Sequence, residues 1–136
     1  MPPVVVDTNI LFSTLLRARS EFSDILFREE PRFVVNELVL TELFRHKEKI
    51  SRLSHLSEDE MIRLYHELVR TLDLYKEDLL SPSARREAYR LCREVDPTDA
   101  PHVAIALEID GLLWTGDEQL KNGLREQGFD RFYDPE

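Results

Sequence analysis

A chain of 136 residues, 42% hydrophobic and 33% charged, has enough material for one packed core under a heavily charged surface, and too little for two. Lys and Arg number 18 against 27 Asp and Glu, a formal net charge of −9, and a field of that sign excludes a protein that coats nucleic acid by bulk electrostatics. The single cysteine, Cys92, excludes an internal disulfide and a multi-cysteine zinc site. No apolar run approaches bilayer length and no basic-then-apolar leader precedes Val4, so the expectation is no membrane association and a reducing, cytoplasmic setting.

Pro3-Val4-Val5-Val6 reads as a short strand of the buried kind. Thr8 to Leu16 follows as a helix with Ile10, Leu11 and Leu15 on one side, and Thr8 is its expected cap. Ser20 is placed to cap a second helix, with Glu21 and Asp24 in its first turn. Phe33-Val34-Val35 is a second strand; Asn36 caps a helix that carries Leu38, Leu40, Leu43 and Phe44 and ends in Arg45, Lys47, Lys49 and Arg52. Ser57 to Glu60 is a capping box before Met61, Leu64 and Leu68. Leu72 and Leu74 alternate with Asp73 and Tyr75 as a partly exposed strand. Ser81-Pro82 opens a helix reaching about Val95. Asp96-Pro97-Thr98-Asp99 turns into a helix over Ala100 to Ile109, ended by Gly111. Leu112 to Thr115 is a further strand, Gly116-Asp117 opens a last helix ended by Gly128, and Phe132-Tyr133 is a final edge strand. Apolar spacing assigns Phe33, Tyr89 and Trp114 to the core, and His102 to a helix surface.

Strands alternating with helices predict an α/β fold: one domain over 1–136, with a central, mostly parallel sheet of about four to five strands and helices on both faces. In such folds ligands bind beyond the carboxyl ends of the strands. Asp7 follows the first strand, Asp117 the last, and Asp99 opens a helix from a loop on the same edge; Glu42 lies among Leu40, Leu43 and Phe44, where it is expected to face inward. Two unit charges ~6 Å apart at an effective dielectric of ~20 repel by about 3 kcal/mol, so a carboxylate cluster needs a neutralising partner. With no His or Cys ligand pattern, hard oxygen-seeking dications, Mg²⁺ or Mn²⁺, are the natural ones, and metal-assisted phosphodiester hydrolysis is the reaction class. Each acid also has an ordinary reading. Asp99 and Asp117 suit helix caps, and Glu42 suits a solvated pair with Arg45. Asp7, followed by Thr8 and Asn9 where a buried strand exits, is the least ordinary.

Taken in order, Val4-Val5-Val6-Asp7-Thr8-Asn9-Ile10-Leu11, Thr41-Glu42-Leu43, Asp96-Pro97-Thr98-Asp99-Ala100-Pro101-His102-Val103-Ala104-Ile105-Ala106-Leu107 and Thr115-Gly116-Asp117-Glu118-Gln119-Leu120 resemble the motifs of PIN-domain nucleases, VapC-type toxins among them. The resemblance implies a Mg²⁺- or Mn²⁺-dependent endoribonuclease acting on single-stranded or structured RNA, with Asp7, Glu42, Asp99 and Asp117 as the metal-binding, catalytic acids. Asn9 and Thr115 would position acids or phosphate, and Asp96, His102 and Glu118 are further candidates around the site. The same resemblance makes an antitoxin protein and a homodimer candidate partners. The alternative is a catalytically weak, PIN-like nucleic-acid-binding or scaffold module. A receiver domain would need a phospho-accepting Asp after a middle strand and a Lys after the last; a haloacid-dehalogenase-type phosphatase would need Asp where Asn9 stands.

Overall fold

Consecutive β-branched residues have stiff side chains that suit a pleated surface better than a helix, and Val4–Val6 forms strand β1, with every residue buried. The computed structural model describes residues 1–16 and 21–135. Helices α1 (Thr8–Leu16) and α2 (Glu21–Leu26) lead to β2 (Phe33–Asn36). Helices α3 (Glu37–Arg45), α4 (Lys47–Ser54) and α5 (Glu58–Thr71) lead to β3 (Asp73–Tyr75). A 3₁₀ turn at Glu77–Leu79, helix α6 (Pro82–Cys92), a second 3₁₀ turn at Pro97–Asp99 and helix α7 (Ala100–Glu108) lead to β4 (Leu112–Trp114), and α8 (Glu118–Glu126) follows.

The sheet is 4-stranded and parallel throughout, in the order β3-β2-β1-β4. Alternate side chains of β1 point to opposite faces. Val4 and Val6 join the core beneath α1 to α5, and Val5 joins a second core beneath α6, α7 and α8. The chain builds outward from β1 to β3, then returns to lay β4 on the other side of β1. The order therefore reverses between β1 and β4, and that crevice is where an open parallel sheet binds ligands.

Local signals act as read at several ends. Asn36 Oδ1 accepts from Leu38 N–H, the Ser57–Glu60 box closes in both directions, and Ser81 Oγ accepts from Ala84 N–H. The Ser20 cap lies outside the described residues. Other expectations are corrected. The helix after Asn36 stops at Arg45 and restarts at Lys47, because His46 leaves helical geometry at φ −101°, ψ 19°. Helix α6 ends at Cys92, short of Val95. Phe132 makes a single parallel bridge to Leu113 in place of an edge strand. Asp110, not Gly111, takes the positive φ that ends α7; Gly111 is a close-approach glycine, since a Cβ there would sit 2.7 Å from Pro3 O. Tyr89, assigned to the core by spacing, is 59% exposed on α6. Among the described residues, no helix is long and apolar enough to cross a membrane.

Candidate metal centre

Asp7 N–H donates to Trp114 O at 3.0 Å, which carries the β1–β4 ladder one residue past the strands and sets the Asp7 side chain at their carboxyl edge. That side chain is only 3% exposed. Its Oδ2 accepts a 2.6 Å hydrogen bond from Thr115 Oγ1, and its Oδ1 accepts from Asn9 N–H at 3.3 Å. Asp7, rather than Thr8, therefore caps α1. The Thr8 hydroxyl points elsewhere, to His102 Nε2 at 3.2 Å.

Thr115 follows β4 and is buried. Besides donating to Asp7, its Oγ1 accepts from Asp117 N–H at 3.1 Å, so one hydroxyl ties together the exits of β1 and β4. Asp117 Oδ1 accepts from Leu120 N–H at 3.1 Å and caps α8. Beside it lies a depression of about 310 Å³ lined by Asn9, Ile10, Ser13, Gly116 and Asp117.

Asp96 is an ordinary turn acid: its Oδ1 accepts from Thr98 N–H at 3.0 Å and from Thr98 Oγ1 at 2.7 Å, and these bonds hold its pKa below the usual carboxylate range. Asp99 is not an ordinary cap. It precedes α7 but makes no side-chain cap bond. Partial burial pushes its pKa up to about 7, helped by the charges of Asp7 and Asp96, a hydrogen bond with Asp96, and the charge of Asp117. One turn on, His102 overturns the surface assignment: it is 5% exposed. Burial lowers its pKa, against the opposing pull of Asp7 and Glu77. Its Nδ1 has no hydrogen-bond partner among the described residues.

One donor atom each from Asp7, Asp99 and His102 lie within 4.8 Å of one another. Among the described residues no Lys or Arg is ion-paired with Asp7, Asp99 or Asp117. Two carboxylates held this close, one of them clinging to its proton, form a donor set that a dication fits: it would relieve the repulsion and draw the Asp99 pKa down.

Glu42 does not face inward; it takes its ordinary reading, a solvated pair with Arg45. It lies on the solvent side of α3, its side chain 56% exposed, with Arg45 Nη1 at 3.0 Å and His46 Nε2 at 3.7 Å. The apolar neighbours that suggested burial divide between faces: Leu40 and Leu43 turn in, and Phe44 is 44% exposed. Glu118 is exposed in the first turn of α8 and pairs with Lys121 at 3.5 Å; Asn9 is exposed at the mouth of the site. Two contributors had no sequence signal. Thr8 orients His102, and Glu77 Oε1 accepts from the buried Asn36 Nδ2 at 2.8 Å. Only the exit of β1 beside α7, and of β2 beside the 3₁₀ turn, brings these pairs together. The basic stretches are matched locally in part, by Arg45–Glu42, Arg90–Glu87 and Arg93–Glu94.

A family model described as "PIN domain" matches residues 5–132 of the chain. No curated protein matches it.

Proposed function

The chain belongs to the PIN-domain family, whose members are generally nucleases, and on that premise we propose that it is an endoribonuclease that hydrolyses RNA with Mg²⁺ or Mn²⁺ bound at Asp7 and Asp99, acting as one domain over 1–136. The observation that carries the proposal is the pair of carboxylates without a Lys or Arg partner among the described residues, one buried and fixed at 2.6 Å by Thr115, the other raised to a pKa of about 7 by partial burial and then by its acidic neighbours.

A divalent ion there would supply Lewis-acid chemistry, shielding phosphate charge and easing the ionisation of water. The chain's own residues do the rest. Asp7 is held by Thr115 and Asn9, so its carboxylate cannot turn away. Asp117, anchored through its N–H to the same Thr115, lines the depression with Asn9 and Ser13, the proposed seat of the phosphodiester. As water attacks phosphorus and the opposite P–O bond breaks, a carboxylate of this group would take the proton that water loses, and the leaving oxygen would take a proton from solvent. Glu42 is proposed as a further acid at the rim. To join the ion it would have to leave its exposed contacts with Arg45 and His46, and an exposed ion pair is worth under about 1 kcal/mol.

The test is cleavage of a labelled RNA by purified protein in Mn²⁺, with chelator and with Asp7→Asn. The proposal predicts cleavage that chelator and Asp7→Asn each abolish. Equal cleavage by wild type and variant would refute it, and retention of RNA without cutting would place the chain among binding or scaffold modules. A toxin role, with an antitoxin to hold it in check, adds one requirement: expression must arrest growth, and Asp7→Asn must relieve the arrest.

A further inference from the structure

We infer that His102 is a nitrogen ligand of the ion and that it biases this centre toward Mn²⁺ over Mg²⁺. The inference rests on the metal-dependent reading above and adds the identity of a third donor and its effect on metal choice.

The donors arrive as two local pairs. Asp7 and Thr8 are consecutive at the start of α1; Asp99 and His102 are three apart, on one face at the start of α7. The imidazole sits within 4.8 Å of both carboxylates and is 5% exposed, so it is walled into the same site rather than lying beside it. Thr8 Oγ1 at 3.2 Å is the partner of Nε2, and Nδ1 has none among the described residues. If Nε2–H donates to the Thr8 hydroxyl, the other nitrogen keeps a bare lone pair. The opposite tautomer would bury an N–H with no acceptor, which costs more than leaving one lone pair unused. A ring with one N–H fixed by a neighbouring oxygen and one nitrogen free is the arrangement in which metal-ligating histidines are held. A buried polar atom without a partner calls for an explanation; one nitrogen of this ring lies within 4.8 Å of a carboxylate oxygen of Asp7 and of Asp99, and an ion shared with them would give the ring its missing partner.

The chemistry of the donors sets the preference. Mg²⁺ demands oxygen ligands in near-ideal octahedral geometry and dehydrates reluctantly. Mn²⁺ also suits carboxylates, and as the softer ion of the two it gains more from an added imidazole nitrogen than Mg²⁺ does. A site made of carboxylates alone would separate the two ions weakly. One that adds a buried imidazole favours Mn²⁺.

The decisive measurement is pulsed EPR of Mn²⁺ bound to the full chain, read for ¹⁴N coupling to the metal, with Mg²⁺ affinity taken from competition against the Mn²⁺ signal. The inference predicts ¹⁴N coupling in wild type that is lost in His102→Gln. It also predicts that wild type holds Mn²⁺ about tenfold or more tighter than Mg²⁺, and that His102→Gln shrinks this preference about tenfold while Mg²⁺ affinity moves less than about threefold. Mn²⁺ bound by wild type with no nitrogen coupling overturns the inference and leaves the nuclease reading standing; this outcome needs no variant to fold. Persistence of the coupling in His102→Gln overturns it by placing the nitrogen at another site. Failure of wild type to bind Mn²⁺ at all overturns both readings.

Discussion

Replacing Asp99 with asparagine keeps the shape of the side chain and removes its charge. In wild type the folded state raises this carboxyl from 3.8 to about 7. The folded protein therefore holds the proton more tightly than the unfolded chain does, and stability falls as pH rises between those two values. At one unit per 1.36 kcal/mol, about three units amount to ~4 kcal/mol before solvent is considered. The carboxyl is partly exposed, and screening leaves about 1–2 kcal/mol. Asparagine mimics the protonated acid, including a donor toward Asp96. In urea unfolding with chelator, followed by the buried Trp114, Asp99→Asn should be about 1–2 kcal/mol more stable than wild type at pH 8 and level with it near pH 3.5. With Mn²⁺ at pH 8 the order should reverse, because wild type gains a ligand that binds only the folded state. A variant no more stable than wild type at pH 8, or one that Mn²⁺ stabilises equally, would refute the reasoning.

Thr115→Val keeps the volume of the side chain but strips Asp7 Oδ2 of its 2.6 Å donor and Asp117 N–H of its acceptor; it should cost about 1–3 kcal/mol in urea unfolding and about 10- to 100-fold in Mn²⁺ affinity by calorimetry. Glu42→Gln should leave the urea midpoint nearly unchanged, because its pairs are solvent-exposed, yet lower RNA cleavage at least about tenfold if the side chain joins the centre during turnover; cleavage at the wild-type rate would remove Glu42 from the acid set. Gly123→Ala tests packing alone. Helix propensity favours alanine by about 1 kcal/mol, but a Cβ there would meet Val95 Cγ1 at 2.6 Å, and that branched side chain cannot swing aside freely. Net destabilisation of about 1–3 kcal/mol is expected in thermal or urea unfolding.

Elements governed by nearest neighbours were legible in the sequence. The valine strand, the Asn36 and Ser57 caps and the Ser81-Pro82 helix start depend on residues within a turn of one another, and each is realised. Asp7 was legible too, because an acid after a buried strand has few ordinary uses. What depended on distant packing was not. His102 looked like a surface residue because nothing in its own helix shows that Thr8 and Asp7 close over it. Glu42 was read as facing inward because its neighbours are apolar, but a helix face is decided by what packs against it. Gly111 was read as a conformational stop, whereas its absent side chain makes room for the Pro3 carbonyl more than a hundred positions earlier in the chain.

Strand β1 is sandwiched between β2 and β4, and Asp7 reaches across 108 positions for Thr115. During synthesis the first strand must wait, half paired, until residues 112–115 have left the ribosome. Until then the carboxylates have no common edge on which to meet, and no ion-holding pocket exists. For the nuclease proposed above, the order of translation would itself be a safety catch: the acidic edge is assembled only after the part of the message that encodes β4 has been read.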